Sequence, residues 1–281
     1  MSVVVNNNVA SLIAQRNLNN NTDNLVKSIE RLSSGYRINH ASDDAAGLSI
    51  SENLRAQIRG NKQAINNVQD GINLLQIAES GLTVMNENIQ RIRELSVQAA
   101  NETNSTAEKN GILLEINARL EDINRIAEAT KFNNISLLDG SLSVLNLQIG
   151  AGAVASTNTL DLSSILTRST TSSLGIDLTT TGATWTSDEI RIYLTSLDTA
   201  LDDITSRRSQ LGAYQNRLES TYENLSVMTE NLESAESRIR DLDIAKETAD
   251  MSKYQILQQA SASVLAQANR IPQIALALLQ G

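Results

Sequence analysis

Apolar residues recur every three or four positions over most of the chain, which is the spacing of amphipathic α-helices. The first such pattern covers residues 7–34 and ends at Gly35, a residue suited to the left-handed turn beyond a helix end. A second pattern covers residues 43–101, and at about 1.5 Å per residue a helix of that size extends roughly 85 Å. Its seam contains Leu54, Ile58, Ile65, Val68, Ile72, Leu75, Leu82 and Ile89, with Asn61, Glu79 and Asn86 in the remaining positions.

Helical spacing continues through two further segments, residues 107–129 and residues 187–240. In the later segment the spacing of three and four holds from Leu194 to Ile239, so a second long helix is predicted. Ser187, followed by two carboxylates, is typical of a helix start. A last helical stripe, rich in Ala and Gln, follows toward the end of the chain.

The period changes between the two long helices. Residues 135–149 have the pattern of strand, turn and strand around Asp139-Gly140, a dipeptide favoured in type I′ turns, so a β-hairpin is predicted there. Residues 150–187 are rich in Ser and Thr and are predicted to form a short tip. Because the long helices lie on either side of the hairpin, we expect the chain to fold back and bring its two ends together.

These elements predict a mainly α fold, a long antiparallel helical rod or coiled-coil bundle with a small β-hairpin and with paired terminal helices. Composition agrees with that prediction. Hydrophobic residues make up 41% of the sequence but aromatic residues only 2%, so the core must be aliphatic, as in helix seams. With 13 Gly and one Pro, the chain lacks the turn residues that a sandwich or a barrel needs.

Charge and cysteine content narrow the classes of partner. The net charge of −9 argues against a nucleic-acid partner, which would require a basic face. The chain has no cysteine, so disulfides, thiolate metal sites and cysteine nucleophiles are excluded. No apolar run approaches the ~18 residues of a membrane span, and the start of the sequence lacks the pattern of a secretory signal. If the protein is exported, we expect a route that does not cleave a signal peptide.

The two ends carry apolar stripes that one compact globule would leave uncovered, which predicts self-association. The residues expected to mediate it are Leu18, Leu25, Ile29 and Leu32 near the start, and Leu257, Val264, Ile271 and Leu278 near the end.

Residues with catalytic potential are few. His40 is the single histidine, and one histidine cannot build a zinc site, so a structural or solvated role is expected. Asp43 and Asp44 are adjacent, and together with Ser42 they fit the start of the helix over 43–101 better than an acid/base pair. No catalytic, cofactor or metal site is predicted, and the chain is expected not to be an enzyme.

Five motifs resemble bacterial flagellin. They are residues 32–39 (LSSGYRIN), 43–48 (DDAAGL), 90–98 (QRIRELSVQ), 211–218 (LGAYQNRL) and 267–273 (QANRIPQ). The resemblance covers residues 1–150 and 187–281. It implies that residues 1–42 and 241–281 form an inner terminal coiled coil and residues 43–240 a rod, without the bulky outer domains that many flagellins carry.

The resemblance also implies a function, that of a structural subunit that self-assembles into the extracellular filament of the bacterial flagellum for swimming. The alternative is the flagellin-like junction protein between hook and filament. Partners implied by the family are further copies of the chain, the flagellar export apparatus, an export chaperone and the filament cap. Arg91, Leu95 and Glu115 match positions at which the vertebrate toll-like receptor that senses flagellin makes contact, although they could equally be rod surface and subunit contacts.

Overall fold

The computed structural model describes residues 7–142, 144–178 and 186–279, with side chains described as far as residue 270. Long helices form most of it. The elements in chain order are α1 Val9–Ser34, α2 Ala45–Ala99, α3 Thr106–Ala129, β1 Lys131–Phe132, β2 Ile135–Ser136, β3 Asn146–Gln148, α4 Ala155–Asn158, β4 Thr159–Asp161, α5 Ser187–Arg240 and α6 Ile244–Leu279.

The predicted mainly α fold is confirmed. The helices expected over residues 43–101, 107–129 and 187–240 are α2, α3 and α5, and their ends differ from the predicted ends by at most two residues. Apolar spacing alone locates these helices well because each one buries a continuous stripe, which leaves little freedom in where the pattern begins and ends.

The chain divides into two compact units, one formed by Met1–Ala56 with Asn231–Gly281 and the other by Gln57–Glu230. We call them the terminal unit and the central unit. The division falls inside α2 and α5, whereas the domain bounds proposed from the sequence, at residues 42 and 241, fall between helices. Those bounds remain a prediction.

In the central unit, α2 and α5 run antiparallel and share an aliphatic seam. Arg93 Nε donates to Asp198 Oδ1 at 2.6 Å, and Gln215 Nε2 donates to Glu79 Oε2 at 3.2 Å, which fixes the register of the pair. α3 packs on the later half of α2. Residues fully buried in this core include Leu75, Leu82, Met85, Ile89, Ile92, Ile116, Ile123, Leu197, Ile204, Leu211 and Leu218.

The predicted hairpin over residues 135–149 is wrong in its pairing. β2 pairs antiparallel with β1, which precedes it, and β3 pairs antiparallel with β4, at residues 159–161. Asp139-Gly140 does make a turn, with Gly140 at φ +80, but Asp139 Oδ1 accepts hydrogen bonds from Ser141 N and Oγ at 2.8 and 2.7 Å. This local turn occupies the position at which a two-residue hairpin loop would have to form.

The link between α1 and α2 is held by short-range hydrogen bonds. Gly35 ends α1 in the left-handed conformation, with φ +74, as the sequence predicts. Asp44 caps α2 by accepting from Gly47 N at 2.8 Å, also as predicted. Asp43, by contrast, accepts from the amides of Asn39 and His40 at 3.2 and 3.1 Å, and therefore stabilises the link rather than the helix start.

Candidate self-association surface

The terminal unit is built on the antiparallel pairing of α1 and α6. Along each helix the least exposed positions follow a spacing of three and four, as in a coiled-coil seam. On α1 these positions are Ser11, Ala14, Leu18, Asn21, Leu25, Ser28 and Leu32; on α6 they are Glu247, Met251, Tyr254, Gln258, Ser261, Leu265 and Ala268.

Polar side chains join the two helices along this seam. Asn8 Nδ2 donates to Ala268 O at 2.8 Å, and Asn21 Nδ2 donates to Ser261 Oγ at 2.9 Å. Gln258 Nε2 donates to Thr22 Oγ1 at 3.1 Å, and the Thr22 hydroxyl in turn donates to Leu18 O. Since each such bond contributes only about 1 kcal/mol net, these polar contacts specify a partner and a register more than they supply stability.

Several large apolar side chains of both helices lie outside the seam and are exposed. On α6 the exposed fractions are 66% for Ile256, 38% for Leu257 and 56% for Val264. On α1 the exposed side chains are Val9, Leu12, Ile13, Val26 and Ile29, at 46–62%. We call these eight residues the outer stripes, and they are an unusual amount of branched aliphatic surface for one pair of helices.

The self-association residues predicted from sequence separate into two groups. Leu25 is buried and Leu18 and Leu32 are half-buried, so these three face α6 of the same chain. Ile29, Leu257 and Val264 belong to the outer stripes. The side chains of Ile271 and Leu278 lie outside the described residues, and their role remains a prediction.

Sequence reasoning missed the polar half of the seam, above all Tyr254, Gln258 and Ser261 of α6. The apolar spacing indicated a stripe through Leu257, Val264, Ile271 and Leu278, but neither of its two described side chains, Leu257 and Val264, lies in the seam with α1. The signal that could have found the seam was the spacing of three and four taken irrespective of polarity.

The three predicted receptor-contact residues occupy one side of the central unit. Arg91 Nε lies 3.3 Å from Glu115 Oε1, and Arg91 Nη1 lies 3.0 Å from Glu94 Oε2, with Arg91 46% and Glu115 42% exposed. Hydrogen bonds to Glu94 and then Glu115 raise the pKa of Arg91. Leu95 is only 2% exposed and packs in the core, and it lines the floor of a shallow pocket that Arg91 and Glu115 also line.

The described residues contain no group of three or more histidine and carboxylate side chains that could hold a metal ion. Within the same ranges, no helix is both long and apolar enough to cross a membrane. The side chain of His40, in the link after α1, is 65% exposed, and its Nε2 lies 2.7 Å from Glu30 Oε1. His40 is therefore a surface residue in contact with solvent.

Comparisons with known proteins agree with the helical pattern. Residues 5–143 match the profile of the bacterial flagellin N-terminal helical region, and residues 194–279 match that of the bacterial flagellin C-terminal helical region. A flagellin of Halalkalibacterium halodurans is 44% identical over 284 residues, which cover 99% of this chain and 100% of the relative. The flagellar filament 33 kDa core protein of Treponema phagedenis is 40% identical, with the same coverage.

Among solved structures, a putative flagellar hook-associated protein from Vibrio parahaemolyticus aligns with a TM-score of 0.59 at 14% identity. The alignment covers 71% of this chain and 100% of the hook-associated protein. At that identity the likeness concerns the fold alone.

Proposed function

The chain belongs to the bacterial flagellin family, and we propose that its copies polymerise through the outer stripes of α1 and α6. Relatives that it matches from end to end are named flagellins and flagellar filament core proteins, and the chain is a structural subunit of the bacterial flagellar filament. The hook–filament junction protein is not favoured, because the relatives that match nearly the whole chain at 40–44% identity are named as a flagellin and a flagellar filament core protein. Residues 144–193 alone separate the two family regions, so the chain lacks the variable outer domain of longer flagellins.

The observation that carries the proposal is that the large aliphatic side chains of the outer stripes lie off the seam between α1 and α6 and remain 38–66% exposed. Complete burial of a Val, Leu or Ile side chain contributes about 1.5–3 kcal/mol. Burial of the eight outer-stripe residues against other copies would therefore supply substantial association energy. A contact of this type between different faces of successive copies does not close, and it propagates as a helical polymer.

Charge distribution favours the same surfaces. Residues 254–269 of α6 contain no Asp, Glu, Lys or Arg, although the whole chain has a net charge of −9. A helix without charges can be surrounded by neighbouring copies without the cost of burying an ion. The uncharged part of α6 is therefore the segment best suited to lie inside an assembly.

A charge placed in an outer stripe tests the proposal. We expect Val264→Asp to form no polymer that sediments on centrifugation, even at about 100 times the critical concentration of the parent chain. The reason is that polymerisation would bury the new carboxylate without a partner. Val144→Asp is the matched control, since Val144 is a comparably exposed valine (65%) of the central unit, and it should polymerise like the parent. Normal polymerisation of Val264→Asp, with helix content unchanged, would refute the role of the outer stripes.

The remaining partners are proposals that rest on family membership. We propose that the subunit is exported by the flagellar apparatus with the help of a chaperone, and is added beneath the filament cap outside the cell. We also propose that Arg91 and Glu115 contribute to recognition by the vertebrate flagellin-sensing receptor, with Leu95 supporting Arg91 from below.

A cell-based reporter of that receptor tests the last proposal with soluble protein. Arg91→Ala should lower the response about tenfold, the effect expected when a charge-assisted hydrogen bond is removed from an interface. Arg191→Ala is the control, because Arg191 is also exposed and also pairs with a carboxylate one helical turn away. An unchanged response to Arg91→Ala would contradict the proposal.

A further inference from the structure

Chain segments about 200 residues apart meet where α1 ends and α6 begins. Tyr36 and Asp241 form an isolated antiparallel bridge. It is flanked by two backbone hydrogen bonds, from Arg37 N to Arg240 O at 2.7 Å and from Leu242 N to Gly35 O at 3.0 Å. The guanidinium of Arg37 adds a bond to Ile239 O at 2.6 Å. The end of α1 and the start of α6 are therefore held together by backbone hydrogen bonds.

The ring of Tyr36 at this point lies against two cations. The guanidinium carbon of Arg240 is 4.8 Å from the ring centroid, and that of Arg55 is 5.9 Å away. Arg55 Nη2 pairs with Glu236 Oε1 at 3.0 Å, and Arg240 Nη1 pairs with Glu52 Oε1 at 2.6 Å. We call these five side chains the Tyr36 clamp. They connect the link after α1, the start of α2 and the end of α5.

The clamp is shielded enough for its contacts to be strong. The side chains of Arg55 and Arg240 are only 25% and 12% exposed, and cation–π contacts strengthen as water is removed. Burial opposes the charge of Arg55, but the charge and hydrogen bond of Glu236 together with the charge of Glu52 outweigh it and raise the pKa of Arg55. The Arg55 guanidinium thus remains charged and paired wherever Glu236 is ionised.

We propose that the Tyr36 clamp is a positioning cluster for polymerisation, which joins the two ends so that α1 and α6 present their outer stripes together. This inference rests on the proposed function. The antiparallel pairing of α2 with α5 returns the chain toward its start, and the clamp then holds residue 36 beside residue 241 with contacts outside the seam. Pairing of α1 with α6 therefore requires only local ordering.

Substitution of Tyr36 tests the clamp directly. Tyr36→Ala removes both ring contacts, and the critical concentration for polymerisation should rise about fivefold or more. Tyr36→Phe keeps the ring face that binds the cations, and it should polymerise within twofold of the parent. The melting temperature of the central unit serves as a second readout and should not change in either variant.

A disulfide between residues 36 and 241 tests whether Tyr36 acts by holding the two chain segments together or through some other property of its ring. Tyr36 and Asp241 form the non-hydrogen-bonded type of antiparallel pair, in which Cα atoms lie about 4.5 Å apart, within the range for a disulfide. The chain has no other cysteine, so the double variant Y36C/D241C can form a single intramolecular disulfide. When oxidised it should polymerise within twofold of the parent, and when reduced it should behave like Tyr36→Ala.

The proposal is overturned if Tyr36→Ala polymerises like the parent, or if oxidation of Y36C/D241C gives no recovery. Comparison with Val264→Asp separates the two levels of the account. If Val264→Asp polymerises normally while the Tyr36 variants behave as expected, the outer stripes fail and the clamp stands. If Val264→Asp is blocked while Tyr36→Ala is normal, the clamp alone fails.

Discussion

At the scale of single residues, Asp43 shows how one carboxylate shapes the link between two helices. Its Oδ2 accepts hydrogen bonds from the backbone amides of Asn39 and His40, and its Oδ1 lies 3.9 Å from Arg31 Nη2. The hydrogen bond from the His40 amide is the main cause that holds the pKa of Asp43 below its ordinary value of 3.8. The ionised form of Asp43 is therefore the form that stabilises the folded link.

This shift predicts a dependence on acid. A carboxyl whose pKa is lowered on folding stabilises the protein above its unfolded pKa and loses that contribution as pH falls through the folded value. We expect Asp43→Asn to lower the melting temperature of the terminal unit at pH 7, and the difference from the parent to shrink below about pH 3.8. Circular dichroism melts between about pH 2.5 and 7 would measure it.

Glu219→Gln, the same change of charge at an exposed position of α5, is the control. A difference between the parent and Asp43→Asn that persists unchanged at about pH 2.5 would mean that the carboxylate does not act through its charge.

At the scale of elements, what the sequence could predict depended on how far apart the interacting residues lie. Helices α2, α3 and α5 were predictable because their buried residues repeat within a few positions. The strands were not, because β3 finds its partner β4 only after an intervening loop and the short helix α4. Asp139-Gly140 carried the strongest local hairpin signal, but its side-chain hydrogen bonds to Ser141 serve a different turn.

The actual two-residue hairpin turn is Asn133-Asn134, between β1 and β2. Both residues have positive φ, +45 and +68, as a type I′ turn requires, and asparagine tolerates this conformation better than other non-glycine residues. The sequence carried this signal too, in the form of two consecutive asparagines, but the flanking strands of two residues each are too short to show alternation.

Substitution at Asn134 tests the turn. Asn134→Gly should leave the free energy of unfolding of the central unit unchanged or slightly raised, because glycine adopts positive φ without strain. Asn134→Ile should lower it by about 1–2 kcal/mol, the cost of a left-handed conformation for a branched residue. Guanidinium denaturation of the monomer would measure both, and equal stability of the two variants would show that the turn is not of this type.

For the pair formed by α1 and α6, the sequence predicted the helices but not the faces through which they contact each other. Apolar spacing located α1 and α6 and predicted self-association through Leu257 and Val264, but it did not indicate that α6 contacts α1 through Tyr254, Gln258 and Ser261. Nothing local distinguishes an apolar stripe that faces the same chain from one that faces another copy. The sequence therefore predicted that both terminal segments self-associate. The three-dimensional pairing was needed to distinguish the residues of the seam from those of the outer stripes.

At the scale of the whole molecule, the chain divides its aliphatic residues between two uses. In the central unit they form a closed core, in which Leu75, Ile89 and Leu211 are fully buried. In the terminal unit the outer stripes of α1 and α6 remain exposed, next to a seam that mixes Leu and Ala with Asn, Gln, Ser and Tyr. A filament subunit of the flagellin family gains from this division, since the monomer stays folded while its ends retain the capacity to bind other copies.

The absence of cysteine allows the central claim to be measured with a single thiol. In Val264→Cys, the rate of maleimide labelling should be close to that of a free thiol in the monomer and at least about 100-fold slower in the polymer, because burial blocks access. Val144→Cys, in the central unit, should not lose reactivity to that extent. Equal labelling of V264C in monomer and polymer would contradict the account, because the outer stripe of α6 would then remain exposed in the assembled filament.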